Sequence, residues 1–432
     1  MNSTLTKPQS AELAVSKMAE NLIGSEILKL SGEINELIRK GEKIANYTVG
    51  DFNPDIFPLP EEFKKEIIAA YNGNHSNYPP SDGILALRET VAQFLYERLA
   101  LDYSPQNEIL IAGGARPIIY AAYRALIDPG DYVFYPAPSW NNNHYIHLTA
   151  AKPIMMEAKA ENNFMPTADD LLPHIGKLNL VSLCSPQNPT GTVFTKDGLE
   201  SICDIILQEN KRRAGRKKPL YLLYDQVYNQ LTYGSVKHFN PVTLCPEIRD
   251  YTVFVDGISK SLAATGVRIG WSMGNKKIID KMKSIIGHVG AWAPKAEQVA
   301  LANYLGNREA VDKFMTDFKN KLSQRLNGFY EGFMDLKKQG LRVDAIEPQA
   351  AIYLTVQFNL KGMKTEDGGI LSNTADITRY LLQKAKLALV PFYAFGASSE
   401  STWYRLSAGT ADLNGIKDVM ERLGSALGQL KK

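Results

Sequence analysis

Short apolar runs recur at residues 109–112, 132–135, 180–184, 220–224 and 252–255. Longer stretches with helical spacing separate them, for example residues 117–126 and 196–210. The runs do not alternate apolar with polar residues, so both faces of each strand must be covered. Short buried strands separated by helices point to a parallel sheet covered on both faces. The pattern therefore predicts an α/β fold over roughly residues 60–290, with a mostly parallel central sheet flanked by helices.

The rhythm changes after residue 295. Residues 295–340 read as helix, expected as one long connector. A strand at 351–358, a helix at 376–387, a strand at 403–407 and a last helix at 413–427 follow. The Gly-, Asp-, Ser- and Asn-containing stretch 362–373 reads as a surface loop. This is a smaller α+β domain. The expected division is an N-terminal segment 1–55 joining the small domain, a large domain 56–315, and a small C-terminal domain 316–432.

Composition removes several classes of function. The 432 residues are 44% hydrophobic and 22% charged, which is ordinary globular usage. With 49 Lys and Arg against 46 Asp and Glu, the net charge of +3 is too small for a nucleic-acid binder that relies on bulk electrostatics. The run 211–218 holds six basic residues in eight positions. It is expected to be a solvated loop between a helix and the strand at 220–224. Cys184, Cys203 and Cys245 form no CxxC and no metal spacing, so no metal site is expected and a reducing compartment is. No uncharged apolar stretch reaches the ~20 residues of a membrane span. The first 25 residues carry Lys7, Glu12, Lys17 and Glu20 in place of an unbroken apolar run. A cytoplasmic protein is the expectation, without nucleic-acid or membrane partners.

Chemistry collects at the ends of the apolar runs. Ser259-Lys260 lies just past 252–255, with Arg268 eight residues on. Asp225 closes 220–224, and Tyr228 follows three later. Asn188-Pro189-Thr190-Gly191 follows 180–184. Gly113-Gly114 follows 109–112 and opens a helix. In an open α/β sheet the carboxyl edge of the strands is where ligands bind. A lysine after a strand is commonly a surface residue, but a desolvated one has a lowered pKa and can form a Schiff base. Backbone N–H groups at Gly114-Ala115 suit a phosphate, as does a guanidinium at Arg268. A carboxylate at Asp225 can pair with a protonated ring nitrogen. Asn188 and Tyr228 can donate to a ring oxygen. Trp140 can stack on a flat ring.

This set resembles the class I/II pyridoxal-phosphate-dependent aminotransferases of fold type I, aspartate aminotransferase-like, over nearly the whole chain. The residues that carry the resemblance are Asn188-Pro189-Thr190-Gly191, Asp225-x-x-Tyr228, Ser259-Lys260 with Arg268, and Arg405 in Tyr404-Arg405-Leu406-Ser407. The resemblance implies that Lys260 holds pyridoxal 5′-phosphate as a Schiff base and then moves the proton. It implies that Asp225 pairs with the pyridine nitrogen and that Asn188 and Tyr228 bond the ring oxygen. Trp140 would stack on the ring, and Gly114, Ala115, Ser259 and Arg268 would cradle the phosphate. Arg405 would clamp the substrate α-carboxylate beside Gly50. Tyr78 would reach the phosphate of a neighbouring subunit, which implies a homodimer with shared active sites.

The implied reaction is ping-pong transfer of an amino group from an L-amino acid to a 2-oxo acid, with 2-oxoglutarate as the expected acceptor. A β-lyase, a decarboxylase or a cyclopropane-carboxylate synthase would use the same site. A regulator built on the same fold would need a DNA-binding domain, and only about 25 residues precede the fold-like region. The sequence departs from the family in three places. Gly257 stands where many relatives have a phosphate-binding serine. Ala115-Arg116 stands where some aspartate-type relatives have a lysine for the second carboxylate. Phe392-Tyr393 follows Val390-Pro391 where many relatives have glycine. Arg116, His288 and Lys295 are candidates to meet an acidic side chain. Trp140, Trp292, Phe392 and Tyr393 are candidates for an apolar or aromatic side-chain pocket.

Overall fold

The computed structural model describes residues 14–22, 24 and 26–432. Its strands are β1 (Ala45–Asn46), β2 (Ile109–Ala112), β3 (Tyr132–Ala137), β4 (Lys152–Glu157), β5 (Leu178–Cys184), β6 (Tyr221–Asp225), β7 (Thr252–Gly257), β8 (Gly270–Met273), β9 (Val343–Ala345), β10 (Tyr353–Phe358), β11 (Leu387–Ala388), β12 (Val390–Pro391) and β13 (Trp403–Ser407). The main sheet runs β2-β8-β7-β6-β5-β3-β4. Six of its strands are parallel, and β8 alone runs antiparallel to both β2 and β7.

Alternation along each strand sends side chains into two separate layers. Leu110, Val133, Leu180, Leu223 and Val253 face the helices Ala115–Leu126 and Lys276–Val289. Ile109, Phe134, Val181, Leu222 and Phe254 face the other layer, which includes Leu199, Ile202 and Ile206 of the helix Lys196–Arg213. Both faces are apolar because both are covered, as expected for parallel strands.

The small sheet, β12-β13-β10-β9, is antiparallel. Phe333 on the long helix Arg308–Lys338 packs edge-on to Phe358 of β10, which in turn meets Tyr404 of β13. β1 pairs in parallel with β11, so the chain before residue 50 is stitched to the chain beyond 380.

Four local expectations need correction. The single connector expected at 295–340 is two helices, Lys295–Gly306 and Arg308–Lys338. Asn307 breaks it: its side chain accepts the Ala310 N–H and caps a new helix, a job its short polar side chain does better than continuing the old one. The expected helix 376–387 is Thr374–Lys384, capped by Asn373, and residue 387 already belongs to β11. The first three residues of the basic run 211–218 end the helix Lys196–Arg213. Its Arg213 is only 3% exposed and donates to Glu209 Oε1 at 2.6 Å, while Lys218 bonds Asp128 and Asp131. The strand expected to end at 224 includes Asp225, which puts the carboxylate on the strand itself. The stretch 362–373 is a loop holding one bridge, Lys364 to Ile370. No helix among the described residues is long and apolar enough to cross a membrane.

Candidate active site

The carboxyl ends of β2, β5, β6 and β7 open into one cavity of about 540 Å³. Gly50, Ala115, Trp140, Asn188, Asp225, Tyr228, Ser259, Lys260, Arg268 and Arg405 all line it. Their sequence separations are large, and the fold gathers them: Ala115, Trp140, Asn188, Asp225, Tyr228, Ser259 and Lys260 come from ends of the parallel strands or the segments just beyond, Gly50 and Arg268 from loops, and Arg405 from β13 of the small sheet.

One end of the cavity is built for an anion. Gly114 has φ +99 and caps the helix Ala115–Leu126, whose first N–H groups have no intrahelical partner. The Arg268 guanidinium lies against it, donating to Thr265 O at 2.7 Å and Gly113 O at 2.9 Å. A Cβ on Gly114 would sit 2.2 Å from Arg268 Nη2, so only glycine allows both the turn and the approach. Gly257 is equally confined: a Cβ there would lie 2.8 Å from the backbone of Gly270 and of Ile269. The antiparallel partner β8 thus leaves no room for a side chain at 257.

Lys260 sits in the middle, on the short turn after β7. Its Nζ donates to Gly50 O at 2.5 Å. Burial pulls its ammonium down to about 8; Asp51 opposes the shift, while Arg405, Arg116 and Arg268 add to it. Asp51 is itself fixed by Thr265 Oγ1 at 2.7 Å. Asp225 lies at the end of β6, and burial pushes its carboxyl up to about 6. The Val227 N–H, at 3.1 Å, is the partner that opposes this.

Arg405 closes the cavity from the small sheet. It is 1% exposed, donating to Asn188 Oδ1 at 3.0 Å and Thr48 O at 2.6 Å. Its guanidinium lies 4.6 Å from the centre of the Tyr353 ring and 4.8 Å from that of Phe395. Its Nε has no partner, and among the described residues no carboxylate pairs with it. The Tyr228 hydroxyl is 2.7 Å from that of Tyr353. Burial raises both phenols, so both keep their protons.

The cavity is therefore electrostatically incomplete. A buried guanidinium and a largely buried carboxyl stand in it, and neither has a counter-charge from the protein. Unpaired charge in a low-dielectric site is costly, and a ligand offering a carboxylate to Arg405 and a cationic ring nitrogen to Asp225 would complete both. With an amine for Schiff-base formation and an anion cradle at Arg268, the donor set fits pyridoxal 5′-phosphate and an amino acid.

Other candidates fall elsewhere. Tyr78 is 81% exposed, edge-on to Trp292 and outside the cavity of its own chain. Lys295 Nζ bonds Asn77 Oδ1 at 2.6 Å, and His288 is exposed; neither lines the cavity. Phe392 is fully buried against Phe164 and Phe395, in a core cluster rather than a substrate pocket. Tyr393 and Trp292 also lie outside the lining. Arg116 does line the cavity, with its guanidinium 5.3 Å over Trp140. Asp51, Thr265 and Tyr353 line it too and were not singled out from sequence. Asp51 directly follows Gly50 in the sequence. Tyr353 lay within an expected strand with no sign of which face it would take.

Residues 43–423 match the family described as aminotransferase class I and II. An aspartate aminotransferase from Geobacillus stearothermophilus is 30% identical over 418 residues, covering 95% of this chain and 98% of that protein. The crystal structure of the aspartate aminotransferase from Rhizobium meliloti superposes with a TM-score of 0.86 at 26% identity, over 97% of this chain and all of that one. The Thermus thermophilus aspartate aminotransferase solved with maleate superposes with a TM-score of 0.83 at 25% identity, over 96% of this chain and all of that one. Sequence, fold and a lysine-centred cavity at the sheet's carboxyl edge agree: the chain belongs to the class I and II aminotransferases, enzymes of fold type I that transfer amino groups.

Proposed function

We propose that this enzyme moves the amino group of an acidic L-amino acid to a 2-oxo acid, 2-oxoglutarate being the expected acceptor, in two half-reactions at one site. The observation that carries the reading is the pair of uncompensated buried charges, Arg405 and Asp225, in the cavity that also holds the Lys260 amine. Pyridoxal 5′-phosphate would be held by Lys260, Asp225, Asn188, Tyr228 and Trp140, with its phosphate at Gly114, Ala115, Ser259 and Arg268. When bound, it supplies an electron sink that acidifies the substrate α-proton and carries the amino group between the two halves.

The chain's own residues do the rest. Arg405 takes the α-carboxylate through a guanidinium already oriented by Asn188 and Thr48, and Gly50 leaves room for it. The Lys260 amine, with its lowered proton affinity, takes the proton from the substrate α-carbon and returns it one position away. The Asp225 carboxylate holds a proton on the ring nitrogen. Arg116 faces the cavity without a carboxylate partner among the described residues and meets the second carboxylate of the donor. Two relatives being aspartate aminotransferases, one solved with the dicarboxylate maleate, support an acidic donor. Residues 26–55 and 316–432 form the part that closes over substrate and excludes water. The active form is a homodimer in which Tyr78 reaches the partner's phosphate site.

Incubating the enzyme with aspartate and 2-oxoglutarate tests the reaction. Oxaloacetate and glutamate in equal amounts, without free ammonia, are expected. Pyruvate and ammonia from an amino acid in the absence of any acceptor would instead make it a lyase.

A further inference from the structure

Tyr353 is on β10, far in sequence from every motif that marks the site. In the ladder with β13 it shares a face with Thr355, which stands opposite Arg405. That face docks on the loop after β5: Thr355 Oγ1 donates to Thr190 O at 2.8 Å, and a Cβ on Gly191 would lie 2.3 Å from Tyr353 O. The Tyr353 ring lies beneath Arg405, and its hydroxyl covers Gly50, where a Cβ would come within 2.6 Å of it. The same hydroxyl is 2.7 Å from Tyr228.

A phenol has one hydrogen to give. If Tyr228 gave its hydrogen to Tyr353, none would remain for a ring oxygen in the cavity. Donation must therefore run from Tyr353 to Tyr228, and from Tyr228 into the cavity. We propose that Tyr353 is a positioning residue that orients and polarises the Tyr228 hydroxyl, while its ring supports Arg405, so that one side chain of the small sheet links carboxylate binding to the ring-oxygen contact. Accepting a hydrogen bond strengthens a hydroxyl as a donor, so the effect on Tyr228 is electronic as well as geometric. This rests on the cofactor reading above.

The test is a pH titration of the visible absorption band of the cofactor-loaded enzyme, comparing wild type with Tyr353→Phe, Tyr353→Leu, Tyr228→Phe and the double variant Tyr228→Phe/Tyr353→Phe. The lysine nitrogen and the ring oxygen share one proton. A weaker donor at the oxygen makes that proton harder to remove, so the midpoint rises. Tyr353→Phe is expected to raise it by about half a pH unit with KM nearly unchanged, since the ring under Arg405 remains. Tyr353→Leu is expected to raise KM as well. In the Tyr228→Phe background, adding Tyr353→Phe should shift nothing further, because the two act in series. A Tyr353→Phe midpoint equal to wild type, or fully additive shifts in the double variant, would overturn the proposal while leaving the cofactor reading intact. A wild-type enzyme with no visible band would overturn both.

Discussion

At the scale of single residues, the site is a set of groups kept in unfavourable states until ligands arrive. Lys260 is the clearest case. An ordinary lysine loses its proton near 10.5, whereas burial brings this one to about 8. Only the neutral amine attacks a carbonyl, so the rate of cofactor capture by the free protein should climb as pH rises through about 8 and level off above it. Stopped-flow mixing with pyridoxal phosphate reads this; a rate still climbing steeply above 10 would show that the amine is not perturbed. Arg116 makes a second prediction. Arg116→Ala should lower kcat/KM for aspartate about tenfold or more, the size of a lost charge-assisted hydrogen bond, and leave alanine little affected. Equal losses for both amino acids would remove Arg116 from side-chain recognition. Lys260, Asp225, Asn188 and Arg268 were legible in sequence because together they follow the apolar runs, and Arg405 was named through the family resemblance. Tyr353 was not legible: it is one of 21 tyrosines, and only the tertiary register brings its hydroxyl to Tyr228.

Elements are what turn those residues into a site. Glycine serves where the chain past β2 and β5 bends most tightly, at Gly114 and Gly191. Gly191 has φ +71 and lies where a Cβ would be 2.3 Å from Tyr353 O, a backbone atom that cannot swing aside. Gly191→Ala should therefore destabilise the fold by about 2 kcal/mol or more, seen as a lower urea midpoint. A change within about half a kcal/mol would mean that β10 and the Asn188–Gly191 loop are not tightly docked. Strand identity was readable because a buried parallel strand is a plain apolar run. Element ends were less so. The long helical pattern of 295–340 conceals its break, because helical spacing resumes at once after Asn307, whose cap on the Ala310 N–H starts the new helix. The buried Arg213 was hidden likewise, since a charge run reads as solvated until a partner such as Glu209 is found.

At the scale of the whole molecule, two sheets of different kinds meet across the cavity, the parallel one offering Lys260 and Asp225 and the antiparallel one Arg405 and Tyr353. Within one chain Tyr78 does not line this cavity and is exposed beside Trp292. The proposed homodimer gives that exposure a purpose. Lys260→Ala and Tyr78→Ala enzymes, unfolded and refolded together, should form heterodimers with one intact site and recover measurable turnover, because a missing tyrosine on one chain is supplied by the other. Recovery no greater than the sum of the separate variants would place Tyr78 outside the partner's site. Within the basic run, Arg212 and Arg213 pair with Glu209, and Lys218 pairs with Asp128 and Asp131.

The central claim is that Lys260 holds pyridoxal phosphate and passes an amino group through it. The most direct measurement is the absorption spectrum of the loaded enzyme during titration with aspartate alone, with no oxo acid present. A visible band that gives way to near-ultraviolet absorption, returns on adding 2-oxoglutarate, and is missing from Lys260→Ala is the predicted result. A wild-type protein that shows no band with the cofactor, or a Lys260→Ala variant that keeps one and converts it as wild type does, would contradict it.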